Sequence, residues 1–153
     1  NWSLSIFGKG DDKNILIEKI KKYNLTSTIQ IIEPTPNIFE HYLDSSIYVM
    51  SSRYEGFGLV LIEAMSCGVP CISFDCPYGP SDIIKDGKDG IIVKKMDSES
   101  LGKSICFLIE NEKIREDMGQ KAKKNSYRFL PENIMPDWEK LFMQLKENKT
   151  EKK

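Results

Sequence analysis

Between Ser46 and Gly68 the chain passes from a short β-branched and aromatic run, Ser46-Ile47-Tyr48-Val49-Met50, through a glycine-bearing loop into the helix formers of Leu59 to Met65. The run predicts a buried strand, and Gly68-Val69-Pro70 ends the helix as a glycine followed by proline does. Strand, tight turn and helix in that order form half of a parallel βαβ repeat, and this limits what the rest of the chain can be.

The same order recurs on both sides. Ser3 to Phe7 reads as a strand that ends in Gly8-Lys9-Gly10-Asp11, followed by a helix over Lys13 to Tyr23 with Ile15, Leu16, Ile20 and Tyr23 on one stripe. Thr28 to Ile32 is a second strand; Glu33-Pro34-Thr35-Pro36 breaks regular structure, and Asn37 is placed to cap a helix over Ile38 to Leu43. Beyond the central segment come a strand at Cys71 to Phe74, a turn from Asp75, a short helix opened by Ser81 or Asp82, and a last strand at Gly90 to Val93. Ser98-Glu99-Ser100 caps a helix carrying Leu101, Ile105, Leu108 and Ile109 on its core face. A more polar helix over Glu112 to Asn125 and an amphipathic one over Pro131 to Leu145 complete the chain, with fraying expected from Lys146. The expected fold is α/β: a doubly wound, Rossmann-like parallel sheet with helices on both faces and ligands at the carboxyl ends of its strands. On that topology the Gly8 loop and the Glu55 loop are expected to share one crevice.

The central loop carries the chemistry. Gly56 and Gly58 flank Phe57, so the backbone is free to take positive φ and no Cβ shields its amides. The first turn of the following helix offers unpaired N–H groups and a partial positive charge, a setting for phosphate. Glu63 lies roughly 7 Å along the axis from Gly58 at ~1.5 Å per residue, and its side chain leans back toward the helix start. Carboxylates do not bind phosphate, so Glu55 and Glu63 beside such a site point to hydroxyl donors, as on a sugar or ribose. The spacing alone fits equally a solvated loop acid and an exposed helix acid. Gly8 and Gly10 fit either a tight turn or a ligand contact.

Composition excludes several classes. The 22 basic and 23 acidic residues nearly cancel, which leaves no charge excess for nucleic acid. Cys67, Cys71 and Cys76 crowd one stretch but belong to a helix end, a strand start and a strand end, while His41 lies far off in sequence, so no metal site is expected. No apolar run approaches the ~18 residues of a membrane span. Asn1 is followed directly by a strand pattern, with no initiator Met or signal peptide, and the chain reads as part of something longer.

Glu55-Gly56-Phe57-Gly58-Leu59, followed by Glu63-Ala64-Met65-Ser66-Cys67-Gly68-Val69-Pro70, resembles the Glu-x7-Glu signature of group 1 glycosyltransferases. These are retaining, nucleotide-sugar-dependent enzymes of the GT-B architecture, also called family four. Trp2 to Gly10 resembles the family's earlier strand and glycine loop, Pro77-Tyr78-Gly79-Pro80-Ser81-Asp82-Ile83-Ile84 resembles its later turn and helix, and the likeness runs over roughly residues 2 to 145. It implies a donor-binding domain over residues 1–145, lacking its first strand and the N-terminal acceptor domain, and a disordered tail over 146–153. It further implies that Glu63 holds the ribose hydroxyls, that Glu55 holds the donor sugar and is the catalytic candidate, and that the Phe57, Gly58 and Leu59 amides hold the diphosphate. The Pro77 to Pro80 loop is expected at the edge of that site. Glu33 stands where the family often has glycine near the base. The basic residues that would complete the diphosphate site lie upstream in the family, leaving Lys9 and Arg53 as the nearby cations here.

The implied activity is that of a hexosyltransferase, with no cofactor and no metal, a UDP-sugar as donor and a glycan or lipid-linked acceptor reached through the N-terminal half. Bacterial surface-polysaccharide synthesis is the implied setting, in the cytoplasm or peripherally at the inner membrane face, with this segment alone inactive. A non-catalytic sugar-nucleotide-binding module is the rival reading.

Overall fold

The computed structural model describes residues 2–150. They fall into two compact units that meet in sequence between Ile38 and Phe39.

In the first unit, β1 (Leu4–Phe7) and β2 (Ile29–Ile32) pair in parallel, with Leu4 opposite Ile29 and Phe7 opposite Ile32. A parallel pair needs a crossover, supplied here by α1 (Lys13–Lys22). The apolar stripe expected on this helix is present in sequence but no residue of α1 is buried, and Ile15 remains 51% exposed. Two strands and one helix of ten residues carry too little apolar surface to enclose one another.

The second unit holds the core. It contains all but the first residue of α2 (Ile38–Leu43), then β3 (Tyr48–Met50), α3 (Leu59–Ser66), β4 (Cys71–Asp75), α4 (Pro80–Ile83) and β5 (Gly90–Lys94). Two long helices, α5 (Ser98–Glu110) and α6 (Glu112–Ser126), then lead through a 3-10 turn at Tyr127–Phe129 to α7 (Pro131–Thr150). The three strands form a parallel sheet in the order β3-β4-β5, with Tyr48 opposite Cys71 and Cys71 opposite Gly90. Strand β4 is central, and its residues Cys71, Ile72, Ser73 and Phe74 are all buried, as a strand covered on both faces requires. Ile72 and Phe74 pack with Val93, Leu108 and Met118, and Leu101 and Ile105 of α5 close over them.

Several local features differ from the sequence reading. Asp97, not the serines after it, caps α5: its carboxylate accepts the Ser100 N–H at 2.9 Å and the Ser100 hydroxyl at 2.8 Å. Helix α4 begins at Pro80 rather than Ser81, since proline suits a first helical position where no N–H is needed. Helix α6 is polar in composition, yet Met118, Gly119, Ala122 and Ser126 are buried along one side. Helix α7 runs to Thr150, through residues expected to fray from Lys146, because Leu145, Lys146 and Glu147 are good helix formers that let it propagate. Residues 151–153 of the expected tail lie outside the described residues.

Candidate functional site

The carboxyl end of β3 delivers the chain into the loop of residues 51–58, and α3 starts immediately after it. Gly58 is the N-cap of α3 with φ +91°, a conformation that disfavours every residue with a Cβ. It is buried against Leu61, Ile83 and Met50, which anchors the helix start. Gly56 does not share this role: it is absent from the left-handed region, and a Cβ there would meet nothing within 4 Å. Its surroundings are open rather than its backbone strained, which corrects the expectation of positive φ at both glycines.

The loop is held from outside. Gly79 has φ +121°, and a Cβ on it would stand 1.7 Å from the Phe57 carbonyl oxygen, so the Pro77 to Pro80 turn lies directly against the Phe57–Gly58 peptide. The Phe57 ring meets Phe129 edge-on at 6.0 Å. Arg128 stacks over the Phe129 ring at 4.1 Å and donates to the carbonyls of Asp82 and Ile83, while Asn125 donates to Ile83 at 3.0 Å. The end of α6 and the 3-10 turn thereby clamp both the loop and α4. Tyr54 and Tyr78, each 67% exposed, face one another edge-on at 6.3 Å beside Glu55.

Glu55 and Glu63 are both half-buried. The Tyr42 hydroxyl of α2 donates to Glu63 Oε2 at 3.2 Å. Burial is the main cause that pushes the Tyr48 hydroxyl up to about 12, with Cys71, Glu55 and Glu63 adding to it. Both glutamates therefore lie within electrostatic reach of one side chain on β3. Glu55 also adds to the burial that raises the Cys76 thiol. Tyr42 is raised too, chiefly by burial, so it stays a neutral donor toward Glu63. Together the structure presents a helix start with its unpaired amides, a loop braced from behind, and two carboxylates able to accept from hydroxyls.

Gly8 and Gly10 sit in the other unit. With Lys9 and Lys13 they line an open cavity of about 470 Å³ at the end of β1. The Gly8 amide is already engaged, donating to the Ile32 carbonyl at 3.0 Å as a continuation of the β1–β2 ladder. Lys13 pairs with Glu33, so Glu33 is held by a lysine of its own unit. Lys9 and Arg53 are exposed. All four cysteines are free, and among the described residues no group of His, Cys, Asp and Glu is arranged to hold a metal ion.

Tyr42 and the Arg128–Phe129 clamp are the parts of this site that sequence reasoning missed. Tyr42 is one more aromatic residue on a short helix, and only the fold reveals its hydroxyl facing Glu63. Gly79 belongs to the Pro77 to Pro80 loop that the sequence reading expects at the edge of the site, but nothing there signals its contact with the Phe57 carbonyl.

Comparison with known proteins agrees with this geometry. The model of the group 1 glycosyl transferases matches residues 1–125, and the chain belongs to that family. It is 42% identical over 137 residues to the amylovoran biosynthesis glycosyltransferase AmsD of Erwinia amylovora, covering 90% of this chain and 38% of AmsD. It is 32% identical to the poly(ribitol-phosphate) alpha-N-acetylglucosaminyltransferase of Staphylococcus aureus, covering 90% of this chain and 28% of that protein. The chain thus spans well under half the length of these relatives. Among solved structures, it superposes on a Staphylococcus aureus TarM variant in complex with UDP with a TM-score of 0.85 at 31% identity, over 92% of this chain and 29% of that one. The pneumococcal O-GlcNAc transferase GtfA, solved with UDP and GlcNAc, gives 0.81 at 28% identity, over 93% and 29%. The parallel α/β architecture is that of the C-terminal half of a GT-B glycosyltransferase.

Proposed function

We propose that this chain is the donor-binding half of a retaining glycosyltransferase, which transfers a hexose from a nucleotide-diphosphate sugar to a glycan or lipid-linked acceptor. The observation that carries the proposal is the braced Phe57–Leu59 segment at the start of α3 with Glu55 and Glu63 beside it. In this reading the Phe57, Gly58 and Leu59 amides hold the diphosphate, Glu63 accepts from the ribose hydroxyls, and Glu55 accepts from the hydroxyls of the donor sugar.

The reaction breaks the bond from the anomeric carbon to the diphosphate oxygen and forms one to the acceptor oxygen. Negative charge builds on the departing diphosphate, so the α3 amides act most strongly in the transition state. Retention follows if the acceptor attacks from the face the diphosphate leaves, with the leaving oxygen taking the acceptor's proton. Glu55 then orients the sugar without forming a covalent bond. UDP in the solved TarM and GtfA complexes supports a UDP-sugar donor. The amylovoran and poly(ribitol-phosphate) relatives support a role in polysaccharide assembly; a place in the cytoplasm or at the inner membrane face is part of the same proposal. Among the described residues no helix is long and apolar enough to cross a membrane.

Donor kinetics in the full-length enzyme test this. Glu63→Ala is expected to raise donor KM about tenfold or more with a smaller change in kcat, as loss of charged hydrogen bonds to ribose does. Glu55→Gln is expected to act chiefly on kcat. Unchanged donor KM in Glu63→Ala would remove that residue from the site, and full activity in Glu55→Gln would remove the other. An intact fold that binds UDP but transfers nothing would favour the non-catalytic module.

A further inference from the structure

A phenylalanine at position 42 would fill the same space as tyrosine, so the Tyr42 hydroxyl needs its own explanation. Tyr42 is only 5% exposed, and burying a hydroxyl is unfavourable unless it is hydrogen-bonded. It donates to Glu63 Oε2, across from α2 to α3. The ring has little freedom to swing away: it is wedged edge-on between Phe39, at 5.9 Å, and Tyr48, at 5.6 Å. Tyr48 stands on β3, the strand that leads into the Glu55 loop.

We propose that Tyr42 is a positioning residue for nucleotide recognition, its buried hydroxyl fixing the Glu63 carboxylate to receive the two ribose hydroxyls of a nucleoside diphosphate. This rests on the reading that Glu63 accepts from ribose. A glutamate on a helix otherwise samples several rotamers, and a ligand must freeze them on binding. The Tyr42 bond does this in advance. It uses one acceptor position on Oε2, leaving the other lone pair of Oε2 and both of Oε1 for ribose. Being neutral, Tyr42 adds no charge that would compete with the diphosphate. It touches the carboxylate and not the reacting atoms, so its effect belongs in donor affinity.

The experiment measures Kd for UDP and for 2′,3′-dideoxy-UDP by calorimetry on the full-length enzyme, in wild type, Tyr42→Phe and Glu63→Ala, with donor KM and kcat alongside. The wild type is expected to prefer UDP, and Tyr42→Phe to weaken UDP roughly three- to tenfold, the effect of one side chain left unfixed. Tyr42→Phe should leave dideoxy-UDP unchanged and raise donor KM by the same factor at constant kcat. If Tyr42→Phe weakens both nucleotides equally, or neither, while Glu63→Ala still weakens UDP alone, the positioning role is overturned and the ribose role of Glu63 stands. If Glu63→Ala does not distinguish the two nucleotides, or the wild type binds neither, the ribose reading fails and this inference fails with it.

Discussion

Gly79 and Gly58 set the shape of the loop by different means. Gly58 needs its left-handed backbone to start α3, whereas Gly79 needs the absence of a Cβ, because the Phe57 carbonyl occupies that space. Gly79→Ala cannot be accommodated by turning a flexible side chain, since the obstacle is backbone. It should cost about 1–3 kcal/mol in urea unfolding, from overpacking and strain. UDP affinity should fall further than that loss alone explains, because the displaced peptide carries the proposed diphosphate amides. The Ser100 amide and hydroxyl hold the Asp97 carboxylate below its ordinary value, so its capping contribution is full above about pH 4 and is lost as pH falls through the lower folded value. Thermal melts of Asp97→Ala and wild type should differ most at neutral pH and converge in acid.

At the scale of elements, two helical glycines make opposite predictions. A Cβ on Gly119 of α6 would lie 2.2 Å from the Gly68 carbonyl, where α6 crosses the end of α3. A Cβ on Gly102 of α5 would meet nothing within 4 Å. Gly119→Ala should therefore destabilise by about 1–3 kcal/mol. Gly102→Ala should stabilise by up to about 1 kcal/mol, the difference in helix propensity. Leu108, fully buried against β4, should cost about 2–5 kcal/mol on truncation to Ala. Denaturant midpoints rank all three. The apolar periodicity of α5 announced its core face in advance, β-branched residues marked β2 and β5, and a short apolar run marked β4. The α3–α6 contact was not legible, because a glycine that lets two backbones touch looks in sequence like any other helical glycine.

For the molecule as a whole, the order of strands, turns and helices was readable because parallel βαβ units write both periods into the chain. The two glutamates and the glycine loop were legible from spacing joined to family resemblance. What braces them was not: Tyr42, Asn125, Arg128 and Phe129 come from segments far apart in sequence, and only tertiary packing selects them. Gly8 and Gly10 lie in one compact unit and Glu55 to Glu63 in the other. The central claim is that the start of α3 receives a diphosphate. The most direct test is a titration of the ¹⁵N-labelled chain with UDP, following backbone amides by NMR. The account predicts the largest shifts at Phe57, Gly58 and Leu59, weakened together in Glu63→Ala. Binding that leaves these three amides unmoved, or no binding of UDP, GDP or ADP to the full-length enzyme, would contradict it.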